Sequence, residues 1–182
     1  CVAATQAQPA NDAFANAWTM SGSLVSTNGN SNNATKENGE PNITGRNGGR
    51  SVWFRWTAPS SGATRIATAG SSFNTLLGVY TGTAVTALTA VDCNDDVPGG
   101  VYASEITFAA VAGTTYRIAV DGYGGDEGNV VLKLAATPLA TNNNFANRTP
   151  IPRLNEFVRG ANFGATLEAS EPRSEEHTSE LQ

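Results

Sequence analysis

Residues Ser51-Val-Trp-Phe-Arg-Trp-Thr57 decide the architecture. Val52, Phe54 and Trp56 fall on one side of this stretch, and Trp53, Arg55 and Thr57 on the other. A period of two marks a half-buried strand, because successive side chains leave opposite faces of the pleat. The same period recurs downstream. Thr115-Tyr-Arg-Ile-Ala-Val-Asp121 puts Tyr116, Ile118 and Val120 together, and Asn129-Val-Val-Leu-Lys-Leu134 does the same for Val130, Leu132 and Leu134. Shorter strands are expected at 23–27, 64–68, 76–80, 88–92 and 104–110. Between them lie turn formers such as Asn47-Gly-Gly49, Pro59-Ser-Ser-Gly62, Pro98-Gly-Gly100 and Gly122-Tyr-Gly-Gly125, where Gly and Asn tolerate the positive φ of tight turns. About eight short strands with turns roughly ten residues apart predict an all-β sandwich. Residues 12–17 read as a single helical turn or a short entry segment. Trp53 and Trp56 point to opposite faces, so one of them is expected in solvent or beneath a loop.

Composition narrows the function. The 182 residues carry 11 Lys+Arg against 16 Asp+Glu, a formal charge of −5. That balance offers no grip on nucleic acid. No apolar run approaches the ~20 residues of a membrane helix. A hydrophobic share of 40% is enough for a packed core. The chain opens on Cys1 with no charged-then-apolar leader before it, which predicts that the natural N-terminus is missing. The last ten residues, 173–182, share nothing with what precedes them and read as the translation of a sequencing-adapter oligonucleotide. Without them Lys+Arg falls to 10 and Asp+Glu to 13, so the charge is −3, and the lone His177 is gone.

An internal repeat sets the domain organisation. Asn11-Asp-Ala-Phe14-Ala15-Asn16 recurs as Asn142-Asn-Asn-Phe145-Ala146-Asn147. Ala34-Thr35-Lys-Glu37-Asn-Gly-Glu40-Pro41 recurs as Ala165-Thr166-Leu-Glu168-Ala-Ser-Glu171-Pro172. Both pairs are offset by 131 residues. The expected organisation is a lead-in over 1–10, a sandwich module over 11–136 and a linker over 137–141. The truncated start of a second copy would follow at 142–172, then a non-native tail at 173–182. A stub of that length is below the ~40 residues a domain needs to stand alone.

Catalysis finds little support in the residue types. A Ser or Cys nucleophile needs a base, most often His, and the chain before the tail has none. Two Cys residues 92 positions apart do not make a zinc set. A carboxylate pair for glycoside hydrolysis remains open, since Glu37, Glu40, Asp92, Asp96, Glu105, Asp121 and Asp126 are available, but nothing selects two of them. Calcium is the better candidate cofactor. Asp92, Asn94, Asp95 and Asp96 supply oxygen ligands at short spacing, although Val97 and Ala103 break the EF-hand pattern. The competing reading is a solvated turn, where Asp and Asn are common for backbone reasons. Trp18, Trp53 and Tyr123 are candidates for a sugar-binding platform if they face outward, against the commoner fate of strand aromatics, which is burial.

In order along the chain, these segments resemble a bacterial pre-peptidase C-terminal (PPC)-like domain. The resemblance runs from Asn11-Asp-Ala-Phe-Ala-Asn-Ala17 through Ser51-Val-Trp-Phe-Arg-Trp-Thr-Ala-Pro59 and Ser72-Phe-Asn-Thr-Leu-Leu-Gly-Val-Tyr-Thr-Gly82. It continues with Cys93-Asn-Asp-Asp96, Val111-Ala-Gly-Thr-Thr-Tyr-Arg-Ile-Ala-Val-Asp-Gly122 and Gly128-Asn-Val-Val-Leu132. The resemblance implies a jelly-roll-like β-sandwich, secreted or on the cell surface, often in tandem with neighbouring copies of itself. Such domains accompany hydrolases or adhesins and contact an extracellular protein or polysaccharide surface. It also implies a calcium site at the opening Asn-Asp pair, here Asn11 and Asp12. The acidic residues that precede that pair in calcium-binding relatives are absent from Gln6-Ala-Gln-Pro-Ala10, and the second copy has Asn143 in place of Asp12.

Overall fold

The computed structural model describes residues 7–98 and 102–139. The second copy at 142–172, the tail at 173–182 and Cys1 lie outside the described residues. Nine strands follow one another: β1 (Trp18–Met20), β2 (Leu24–Asn30), β3 (Val52–Thr57), β4 (Gly62–Ala67), β5 (Thr75–Thr81), β6 (Thr89–Asn94), β7 (Glu105–Ala110), β8 (Thr115–Gly122) and β9 (Asn129–Pro138). They form a five-stranded sheet, β1-β3-β8-β5-β6, and a four-stranded sheet, β2-β9-β4-β7. The all-β sandwich expected from the alternation is the observed fold. Of the eight connections, β5–β6 alone joins two strands of one sheet; every other connection crosses between the sheets.

The inward faces meet in one core. Val52, Phe54 and Trp56 from β3, Leu77 and Val79 from β5 and Ile118 and Val120 from β8 come from the larger sheet. Ile66, Ile106, Val130, Leu132 and Leu134 come from the other. All are at most 2% exposed, and burial of such side chains contributes about 1.5–3 kcal/mol each before the entropy cost. The Trp56 indole N–H donates to Gly22 O at 2.8 Å, so this large ring leaves no polar atom unpaired.

A second apolar cluster lies on the opposite face of the five-stranded sheet. Trp53, Leu76, Tyr80 and Ala119 project there and are covered by Phe14, Ala17 and Ile43. Phe14 belongs to a 3-10 turn, Phe14–Asn16, which is the single turn expected over 12–17. Trp53 therefore lies beneath a loop, fully buried, which resolves the question of the two tryptophans.

Two expectations about the strands change. The strand count is nine rather than about eight, because β1 is three residues long and too short to show a period. The pairing is also not antiparallel throughout: β1 runs parallel to β3, with Trp18 opposite Phe54 and Met20 opposite Trp56. The cause is where the chain enters. Asn11 already meets Trp53 near the start of β3, so the segment that follows can only run alongside β3 in the same direction.

Candidate functional site

The connections 31–51, 68–74 and 123–128, with residues 95–98 and 102–104, lie at the end of the sandwich where β3 and β5 begin and β6 and β8 stop. Several of the carboxylates singled out in the sequence lie there, among them Glu37, Glu40 and Asp95.

An entry clasp holds the N-terminal segment. Asn11 O accepts from Trp53 N at 2.9 Å, and Asn11 Nδ2 donates to Trp53 O at 3.0 Å. Both oxygens of Asp12 accept from Thr35, one from its backbone N–H and one from its hydroxyl. The Phe14 N–H donates to Glu37 Oε2 at 2.6 Å, and the Phe14 ring meets Trp53 edge-on at 5.1 Å. Glu40 completes the clasp. Its carboxylate accepts from the Trp53 indole N–H at 3.1 Å, the Ser51 hydroxyl at 2.6 Å and the Glu37 N–H at 3.1 Å. Desolvation holds the Glu40 carboxyl above its ordinary pKa, and these hydrogen bonds offset only part of that effect.

Asp121 is the centre of a second knot. It is 1% exposed and accepts from Gly49 N at 2.9 Å, Arg50 N at 2.7 Å and Gly122 N at 2.8 Å. Lys36 Nζ lies 4.0 Å away. Three backbone donors and a nearby cation are what a buried carboxylate requires. In the sequence this residue was one carboxylate among seven; its role depends on the 49–50 backbone folding back onto the end of β8.

The residues expected to bind calcium are not gathered into one set. Asp92 Oδ1 accepts from Cys93 N at 2.8 Å, and Asn94 Oδ1 from Glu105 N at 3.0 Å. Asp95 Oδ2 pairs with Arg46 Nε at 3.0 Å, while Asp96 is exposed. Asp12 is occupied by Thr35. Asp95 Oδ1 is buried without a partner, as is Asn74 Oδ1. Calcium takes six to eight oxygens. A guanidinium sits on Asp95, and Asp12 is held by Thr35 away from the 92–96 turn, so these side chains are not assembled as one oxygen set. Among the described residues, no three His, Cys, Asp or Glu side chains gather so as to hold a metal.

The three aromatic candidates separate as well. Trp53 is buried, which removes it from any platform. Trp18 is 38% exposed on β1 and packs edge-on against Phe54 at 6.1 Å. Tyr123 is 43% exposed and lies just beyond β8. It borders a groove of about 360 Å³ formed by Gly45, Arg46, Asn47, Tyr123 and Gly124. The Arg46 guanidinium lies 5.6 Å from the Tyr123 ring centroid, and its Nε pairs with Asp95 Oδ2 at 3.0 Å. Backbone bonds from Tyr123 N to Asn74 O and from Gly124 N to Asn47 O fix the groove's floor, at 3.0 Å and 2.9 Å. Arg46 and Asn47 were not site candidates in the sequence, because only the fold brings 45–47 against 123–124.

No protein-family model and no curated protein matches the chain. Among solved structures it is similar to the crystal structure of the pre-peptidase C-terminal domain of a collagenase from Bacillus anthracis. The TM-score is 0.41 and the identity 11%, over 66% of this chain and 94% of that one. That neighbour is a pre-peptidase C-terminal domain, the kind of domain that the ordered sequence segments resemble.

Proposed function

We propose that residues 11–136 form a non-catalytic extracellular module for binding or spacing within a larger secreted or surface bacterial protein, an adhesin or a hydrolase. One observation carries the reading. At the loop-bearing end, Asp12, Glu37, Glu40, Asp95 and Asp121 are each committed to holding loops in place. Beside these held loops the same end presents the Tyr123–Arg46–Asn47 groove, which would serve as the recognition surface. Rigid strands beneath polar loops are the usual support for such a surface.

The alternative is a carbohydrate-binding module of a polysaccharide-degrading enzyme. It is favoured by the exposed Tyr123 ring flanked by hydrogen-bonding side chains. It is weakened by the burial of Trp53, which takes one of the three candidate rings away from any platform.

Co-sedimentation with insoluble polysaccharides and with extracellular matrix proteins separates the two. The module is expected to bind one class, and Tyr123→Ala to weaken binding about tenfold, the effect of losing ~1.4 kcal/mol at a contact. Retention by polysaccharide alone favours the carbohydrate reading. Binding unchanged in Tyr123→Ala would remove the groove from the proposal.

A further inference from the structure

The backbone of β2 is paired on one side only. The Ala136 N–H donates to Ser23 O at 2.7 Å, and the Ser31 N–H donates to Gly128 O at 2.9 Å. These bonds bracket β2 and fix its phase, because the pairing with β9 between them runs without a shift. In an antiparallel ladder alternate residues bond to the neighbouring strand. Val25, Thr27 and Gly29 therefore bond to β9, and the N–H and C=O groups of Leu24, Ser26, Asn28 and Asn30 point away from the sheet. All four residues are exposed, and their N–H groups have no hydrogen-bond partner among the described residues. The other sheet edges are blunted. β1 has three residues. β6 carries Asp92, whose Oδ1 caps the Cys93 N–H, and its pairing with β5 shifts between Val79 and Tyr80. On β7 the Glu105 N–H is taken by Asn94 Oδ1 at 3.0 Å, and the Glu105 carboxylate pairs with Arg65. Short strands, charges and bulges protect natural sheets against edge-to-edge association. β2, Leu-Val-Ser-Thr-Asn-Gly-Asn, has seven residues with no charge, no proline and no bulge.

We propose that β2 is a self-association edge, which pairs antiparallel with β2 of a second copy of this chain. The strand is complementary to itself about Thr27. With Thr27 opposite its own mate across a two-fold axis, Leu24 meets Asn30 of the second copy and Ser26 meets Asn28. Every outward N–H and C=O of the four residues is then paired, and the four-stranded sheet continues into that of the second copy. A slip of two residues in either direction leaves outward groups unpaired. On the inward side Val25 comes opposite Gly29 of the second copy. The Trp18 ring lies over Gly29, where an added methyl carbon would be 3.3 Å from it. Trp18 is 38% exposed and Val25 is half-buried, so the contact covers apolar surface that a single module leaves wet. Charge points to the same occupant. Copies of a chain with a net charge of −5 repel one another, and a strand without charge is where they can meet. An isologous contact of this kind closes after two copies. A single strand pair is a small contact, below the ~1,200 Å² of a stable complex, so the dimer forms at high protein concentration. Pairing through β2 requires nothing of the Tyr123–Arg46–Asn47 groove.

Sedimentation velocity of the full chain, from dilute to concentrated protein, tests the pairing. A monomer–dimer equilibrium is expected. Ser26→Pro deletes an outward N–H and leaves the β2–β9 bonds in place, so it should weaken dimerisation by about tenfold or more. Thr107→Pro makes the same change on β7, whose Thr107 N–H also points outward, and should leave dimerisation unchanged. A second measurement reads the register without proline. In a chain carrying Cys1→Ser and Cys93→Ser, Thr27→Cys should give a disulfide-linked dimer on mild oxidation. Directly opposed residues of a non-hydrogen-bonded pair lie about 4.5 Å apart at Cα, within disulfide reach. Asn30→Cys, which faces Leu24 rather than its own mate, should not cross-link. A chain that stays monomeric at every concentration would overturn the proposal, as would a dimer indifferent to Ser26→Pro or a Thr27→Cys cross-link no faster than that of Asn30→Cys.

Discussion

Two side chains carry the sharpest energetic statements. Thr64 on β4 faces the core at 1% exposure, and its hydroxyl has no hydrogen-bond partner among the described residues. A buried unpaired hydroxyl costs about 1–3 kcal/mol, and Val has nearly the same shape. Thr64→Val is expected to raise stability by about 1 kcal/mol, read from the urea midpoint at unchanged slope. Glu40 gives a pH signature. Its folded pKa lies above the unfolded value, chiefly because it is desolvated. Its contribution to stability is therefore full below the unfolded pKa and declines as pH rises through the folded pKa. Glu40→Gln removes that dependence. Thermal melts of the two proteins should show the parent's advantage shrinking from acid toward neutral pH; a constant difference would refute the assignment.

At the scale of elements, the five-stranded sheet is held on its outer face by segments that are not strands. The Phe14–Asn16 turn seals Trp53, and Phe14→Ala should cost about 3 kcal/mol for the lost ring and the cavity left behind. Tryptophan fluorescence should shift to the red as water reaches Trp53. The knot at Asp121 constrains the opposite partner. A methyl carbon at Gly48 would lie 1.8 Å from Asp121 Oδ2, inside any allowed contact. Gly48→Ala should therefore displace the 47–50 loop and cost about 2 kcal/mol, the scale of overpacking a tight site. Denaturant titration checks this.

At the scale of the molecule, the order of strands in the two sheets ties distant sequence together. β2 pairs with β9, so the module closes only when its first and last long strands meet. The compact unit ends at Pro138, where β9 ends. Limited proteolysis should leave a resistant fragment ending close to residue 138, and deletion of 173–182 should leave its melting temperature unchanged. A resistant fragment reaching past residue 150 would count against the division into module, linker and stub.

Much of this protein was legible in the chain itself. Alternation at Ser51–Thr57, Thr115–Asp121 and Asn129–Leu134 dictated strands, because a pleated backbone with one dry face admits no other period. The turn formers at Pro59–Gly62 and Gly122–Gly125 fall where strands end or begin. What β1 does, and which face of Trp53 is covered, depended on where the entry segment docks, a contact across 42 residues that no local pattern encodes. The calcium and sugar candidates were chosen by residue type. What each of those side chains touches was set by tertiary neighbours: Arg46 on Asp95, Thr35 on Asp12, Phe14 on Trp53. Local sequence determines periodicity because it is a property of the backbone. A site depends on which distant groups end up within hydrogen-bonding reach, and only the folded chain decides that.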